Sequence, residues 1–141
     1  MSLYQRFISS CAVQVGVFFL SLGVTGIASA EGNFQTNCAD SSIANETYLT
    51  SVCQSLEGIS LHSTIDLNNY IAVEDGRLEW RRNGNYKPLT RFCHLHHEPY
   101  GFDHSVMECS AKNNQGFWVQ TSIDLSQHIG NEDGNLVFQG P

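Results

Sequence analysis

Apolar and polar positions along this chain change places in short bursts, with no long stripe at helical spacing. Leu61, Ser63, Ile65 and Leu67 alternate with His62, Thr64 and Asp66, the period-2 pattern of a half-buried strand. Residues 47–53 and 117–123 are rich in aromatic and β-branched side chains and predict two more strands. Asp66 and Asp124 stand where a side-chain oxygen caps a single helical turn, over 67–71 and 125–129. Such turns are short enough to be 3₁₀ connectors. Asp75-Gly76 and Asp133-Gly134 are hairpin signals, each followed by a short strand, at 77–80 and 135–138. The pattern predicts an all-β domain of short strands, hairpins and 3₁₀ turns.

The same pattern occurs twice. Residues 65–80, IDLNNYIAVEDGRLEW, align without a gap on 123–138, IDLSQHIGNEDGNLVF, and eight of the sixteen positions are identical. The identities keep apolar anchors and the turn dipeptide, which indicates two copies of one supersecondary unit. Upstream, Phe34 precedes Cys38 by four residues and Leu89 precedes Cys93 by four. Copy one is therefore set at about 33–87 and copy two at about 88–139, with small insertions between the anchors. One such unit is marginal alone, so the two are expected to share a core as two pseudo-symmetric halves.

Residues 1–30 read as a secretory signal: Arg6, a mostly apolar run from Cys11 to Gly26, then the small-residue site Ala28-Ser29-Ala30. The expectation is a secreted chain of residues 31–141 forming one domain, with no membrane contact after cleavage. Beyond Ala30, six Lys and Arg face fourteen Asp and Glu. That balance excludes nucleic acid as a partner, since phosphate binding needs clustered cations. Arg77, Arg81, Arg82, Lys87 and Arg91 form a local basic group, offset by Glu74, Asp75 and Glu79 into a solvated, mixed-charge hairpin. Four cysteines remain after cleavage, and an even count in a small exported chain reads as disulfides. The repeat selects Cys38–Cys53 and Cys93–Cys109 from the three pairings, placing each bridge at the same point of its copy. Each closes a short loop and contributes ~3 kcal/mol in the chain-entropy picture. Asn45-Glu46-Thr47 is an N-glycosylation sequon.

Candidate chemistry is sparse. His94, His96 and His97, with His104 nearby, could suit zinc or copper. Their spacing fits no standard zinc signature, and the adjacent cysteines are expected to be oxidised. A polar loop is the better reading, with no metal and no cofactor. His128 is read as structural. Asp66 with Asp124, and Asp75 with Asp133, occupy equivalent positions of the two copies, so capping and turn formation explain them better than a catalytic pair. No nucleophile elbow, zincin motif or P-loop is present. The abundance of Asn, Gln, Ser, Thr and Asp suits neutral, hydroxyl-rich ligands, which need donors and acceptors together.

Several marks carry a family likeness: Phe34-x-x-x-Cys38, Leu49-Thr50-Ser51-x-Cys53, Thr64-Ile65-Asp66-Leu67-Asn68, Asp75-Gly76-x-Leu78-x-Trp80, Glu108-Cys109, and His128-Ile129-x-Asn131-x-Asp133-Gly134-x-Leu136. In this combination and spacing, over essentially the whole of 31–141, the chain resembles the cyanovirin-N homology domain. The resemblance implies an all-β fold whose halves each borrow strands from both repeats. It implies a non-enzymatic, metal-independent lectin for high-mannose glycans with α1-2-linked termini, as a monomer or a half-exchanged dimer. It further implies a first sugar site at Asn33, Thr36, Asn37, Gln54, Leu56, Asn131, Glu132 and Asp133. A second site maps to Ala72, Val73, Asp75, Arg91, Phe92, Ser110, Ala111, Lys112 and Asn114, and is weakened because Ala72 and Val73 replace polar residues. Two other readings stand beside the lectin. One is the same fold with a changed ligand, recognising another glycan or a protein. The other is a metal-dependent enzyme built on the histidine loop.

Overall fold

The computed structural model describes residues 32–96 and 105–140. The signal segment, His97 and His104 lie outside the described residues. Ten short strands follow one another: β1 Cys38–Ala44, β2 Tyr48–Gln54, β3 Ser60–Asp66, β4 Ile71–Glu74, β5 Arg77–Trp80, β6 Thr90–Leu95, β7 Val106–Lys112, β8 Trp118–Asp124, β9 Ile129–Glu132 and β10 Asn135–Phe138. They form two three-stranded antiparallel sheets, β1-β2-β3 and β6-β7-β8, and two hairpins, β4-β5 and β9-β10. Single 3₁₀ turns at Leu67–Asn69 and Leu125–Gln127 lead from sheet to hairpin. Each is capped as its sequence demands. Asp66 Oδ1 accepts from Asn68 N at 3.0 Å, and Asp124 Oδ1 from Ser126 N at 2.9 Å. These aspartates are caps, not a carboxylate pair.

Alternation explains what is buried. In β2, Leu49, Ser51 and Cys53 point inward; in β7, Met107, Cys109 and Ala111 do. The burial patterns of β3 and β8, of β4 and β9, and of β5 and β10 are the same. The two copies fill one continuous core, with Phe34, Leu49, Leu67, Ile71, Leu78, Tyr86, Leu95, Met107, Leu125, Ile129 and Leu136 at its centre.

The hairpins change sides. Hairpin β9-β10 of copy two packs on β3 of copy one, where Leu136 N donates to Ser63 Oγ at 2.8 Å. Hairpin β4-β5 of copy one packs on β8 of copy two, where Leu78 N donates to Thr121 Oγ1 at 3.1 Å. The first half of the molecule is therefore β1–β3 with β9-β10, and the second is β6–β8 with β4-β5. At the hairpin tips Asp75 and Gly76 have φ of 47° and 79°, and Asp133 and Gly134 have 51° and 86°. Two positive φ values in succession are the type I′ geometry that Asp-Gly favours. Closeness also matters: a Cβ on Gly134 would lie 2.6 Å from Leu61 Cδ1, and one on Gly76 would lie 2.5 Å from Val119 Cγ2.

The strand ladders correct the register expected between the copies. Tyr48 pairs with Asp66, and Val106 with Asp124, so β2-β3 and β7-β8 match 58 positions apart. Strands β1 and β6 match 52 positions apart, since Cys38 lies opposite Cys53 and Thr90 opposite Ala111. Both disulfides are present, Cys38–Cys53 and Cys93–Cys109. They are not at equivalent places, however. The position of Cys93–Cys109 is occupied in copy one by Ser41 and Ser51, whose hydroxyls meet at 2.7 Å. Likewise the partner of Phe34 is not Leu89 but Tyr86, and both rings are fully buried. The near-equal cysteine separations, 15 and 16, concealed this: the stretch from β6 to β7 holds six more residues than that from β1 to β2, the difference between the 58 and 52 offsets, and the second bridge stands correspondingly closer to it.

Candidate functional site

The residues expected at the first sugar site come together at one end of the first half. Gln54 ends β2, and the turn that follows carries Leu56 into solvent, 91% exposed. Asn33, in a left-handed conformation, bridges to Gly130 of β9, which brings the N-terminal segment beside the hairpin. Thr36, Asn37 and Gln54, with Asp40, Val52 and Ser60, line an open cleft of ≈ 370 Å³. The tip of β9-β10 is tied to the end of β2, at Gln54, and to the turn that follows it. Asn131 Nδ2 donates to the Gln54 carbonyl at 2.8 Å while its Oδ1 accepts from Gly134 N at 2.8 Å. Asp133 Oδ1 accepts from Leu56 N at 3.0 Å. Glu132 stays exposed and takes a long bond, 3.4 Å, from Gln139 Nε2. Asp40 and Ser60 were not foreseen. Asp40 reaches the cleft through a β-bulge and a φ of 52°, which no spacing rule in the sequence announces.

The surface is polar and preorganised. The Asp40 carboxylate, the amides of Asn37 and Gln54 and the hydroxyls of Thr36 and Ser60 offer acceptors and donors within one open cleft. That chemistry suits adjacent ring hydroxyls, each of which donates once and accepts twice.

The corresponding surface of the second half keeps the frame and loses the lining. Asp75 Oδ1 accepts from Asn114 N at 3.0 Å, as Asp133 does from Leu56. Val73, however, stands where Asn131 would, so no amide ties this hairpin to β7. Ala72 and Ala111 are buried and cannot meet a ligand. Ser110 Oγ donates to Gln120 Oε1 at 3.2 Å. Arg91 and Lys112 lie against the ring of Trp118 at 4.2 and 5.7 Å. The expectation of a charge-compensated basic hairpin holds for Arg77 and Arg81, which pair with Glu74 and Glu79; among the described residues Arg91 has no ion pair.

Of the histidine group, His94 and His96 are described, and both lie beside Glu108. His94 lies in β6 and His96 follows it; His94 Nε2 is 3.7 Å and His96 Nδ1 3.2 Å from Glu108 carboxylate oxygens. Among the described residues no group of three or more His, Cys, Asp or Glu is arranged to hold a metal ion. His128 packs edge-on against Trp80, with centroids 5.0 Å apart. Asn45 is exposed in the turn between β1 and β2.

Fold and surface together define an internally duplicated, disulfide-bonded β-domain with an open polar cleft in one half. The chain belongs to the CVNH domain family, whose model matches residues 34–137. Among solved structures it is similar to the CVNH protein of Gibberella zeae, at 28% identity and a TM-score of 0.67, over 77% of this chain and 99% of that one. It is similar to the CVNH protein of T. borchii at 27% identity and TM-score 0.64, over 76% of this chain and 99% of that one. A microvirin:mannobiose complex matches at 24% identity and TM-score 0.64, over 76% and 98%.

Proposed function

We propose that this protein is an exported, non-enzymatic lectin that binds mannose-rich glycans with α1-2-linked termini through the cleft of its first half. The observation that carries the reading is the double lock of the β9-β10 tip, Asn131 on the Gln54 carbonyl and Asp133 on Leu56 N, beside a cleft lined by neutral and acidic polar groups. Carbohydrate binding is supported by the family and by a structural neighbour whose structure is a mannobiose complex. Asp40, Asn37 and Gln54 line an open cleft in the free protein, and a site already formed keeps the ordering cost of binding small.

The variants that test it are Asn131→Val, which copies the residue of the other half, and Asp133→Ala. Each is expected to weaken α1-2-mannobiose at least about tenfold, the effect of losing one well-placed hydrogen bond to a charged or preorganised group. Unchanged affinity in both, with the fold intact by circular dichroism, would remove the cleft as the site.

A further inference from the structure

The matched ladders allow the two ligand-facing surfaces to be compared position by position. Where the first half has Ala39, Asp40, Gln54 and Ser60 around its cleft, the second half has Arg91, Phe92, Lys112 and Trp118. The supporting geometry is retained, down to the left-handed residue in the bulge: φ is 52° at Asp40 and 57° at Phe92. Only the chemistry of the surface differs. A carboxylate, an amide and a hydroxyl give way to two cations and two aromatic rings.

Those groups are stacked and open. The Arg91 guanidinium sits 4.2 Å from the Trp118 ring centroid and 5.3 Å from that of Phe92. Phe92 is 69% exposed and Phe117, beside Trp118, is 65% exposed. Holding an aromatic residue at positive φ is unfavourable, and Phe92 spends that conformation on presenting its ring to water. Neither Arg91 nor Lys112 forms an ion pair among the described residues. The nearby carboxylates are engaged elsewhere, Glu46 on Phe92 N at 2.6 Å and Asp75 on Asn114 N at 3.0 Å. In a chain of net charge −7, these two cations, without an ion pair among the described residues, and the exposed rings beside them form a local surface of opposite character.

We propose that this face binds an acidic oligosaccharide, with a pyranose face against Trp118 and Phe92 and a ring carboxylate or sulfate between the Arg91 guanidinium and the Lys112 ammonium. A planar guanidinium matches a carboxylate or sulfate in two-point geometry, and its stacking on Trp118 holds it in place. The choice of a sugar over a peptide rests on the carbohydrate reading of the first half, whose backbone frame this surface shares.

The test is calorimetric titration of the oxidised protein with a galacturonate tetramer and a chondroitin sulfate tetrasaccharide. Together these cover carboxylate and sulfate. Saturable binding of either one is expected, weakened about tenfold or more in Arg91→Ala and in Trp118→Ala and falling as salt is raised. Calorimetry with α1-2-mannobiose is expected to be unchanged in Arg91→Ala. The proposal is overturned if neither acidic sugar saturates, if Arg91→Ala binds them as the parent does, or if a tetraglutamate peptide competes at equal affinity. Loss of mannobiose binding alone would overturn the reading of the first half and leave this one standing; loss of acidic-sugar binding alone would do the reverse.

Discussion

Asn131 and Val73 occupy the same place in the two copies and separate the two surfaces more sharply than any charge. The amide of Asn131 joins its own hairpin turn to β2 with both ends, and valine can do neither. Tyr86 and Phe34 make a second such contrast, in the core. Tyr86 is fully buried and its hydroxyl donates to the Glu46 carbonyl at 2.7 Å. Burial first, then the Asp66 and Glu46 charges, raises its ionisation well above the usual 10.0. The sign follows from proton counting. The unfolded chain releases this proton near its ordinary pKa while the folded chain keeps it, so stability is present below about pH 10 and is lost as pH rises further. Tyr86→Phe is expected to cost about 1 kcal/mol near neutrality through the lost hydrogen bond. It also removes this residue's share of the alkaline loss. Urea unfolding of both proteins at about pH 7 and pH 11 checks this; parallel loss in the two would show that Tyr86 does not titrate differently on folding.

At the scale of elements, the repeat made five of the ten strands (β2, β3, β5, β8 and β10), both 3₁₀ caps and both Asp-Gly hairpins legible in advance. These features depend on local chemistry: alternation, an Asp oxygen for orphan N–H groups, and a glycine at positive φ. The bulges were not legible. Asp40 and Phe92 carry positive φ without being glycine or asparagine, at equivalent places of the two ladders. The residues mapped to the second site mixed exposed Arg91 and Lys112 with Ala72 and Ala111, which inward alternation buries. The corrected register makes two predictions. Ser41→Cys combined with Ser51→Cys is expected to form a third disulfide at the position of Cys93–Cys109, closing a span of ten residues and adding roughly 2–3 kcal/mol. Thiol counting and thermal unfolding check it; two free thiols in an oxidised, folded protein would contradict the register. At Gly84 a Cβ would run into the Ile71 carbonyl, and at Gly32 into that of Ile129. Gly84→Ala is therefore expected to destabilise by roughly 1–3 kcal/mol, the usual cost of overpacking, read from a denaturant midpoint. An unchanged midpoint would show that the linker between the copies does not dock on β4.

The whole molecule is two halves that exchange hairpins around one core, so each half is built from both copies. Tyr70 stacks on Phe138 at 4.4 Å, and Trp80 donates to Gln127 at 3.3 Å, tying copy one to copy two where the hairpins meet. The pseudo-symmetric scaffold carries an asymmetric surface: a polar cleft in the first half, and rings with cations in the second. That asymmetry makes stoichiometry the most direct test. Calorimetric titration of oxidised protein spanning residues 31–141 with α1-2-mannobiose is expected to saturate at one sugar per chain and to lose its heat in Asn131→Val. Two sugars per chain would mean that Val73, Arg91 and Trp118 do not exclude a neutral mannoside from the second half. No heat at a saturating sugar concentration, with both disulfides formed, would contradict the mannose reading of the cleft outright.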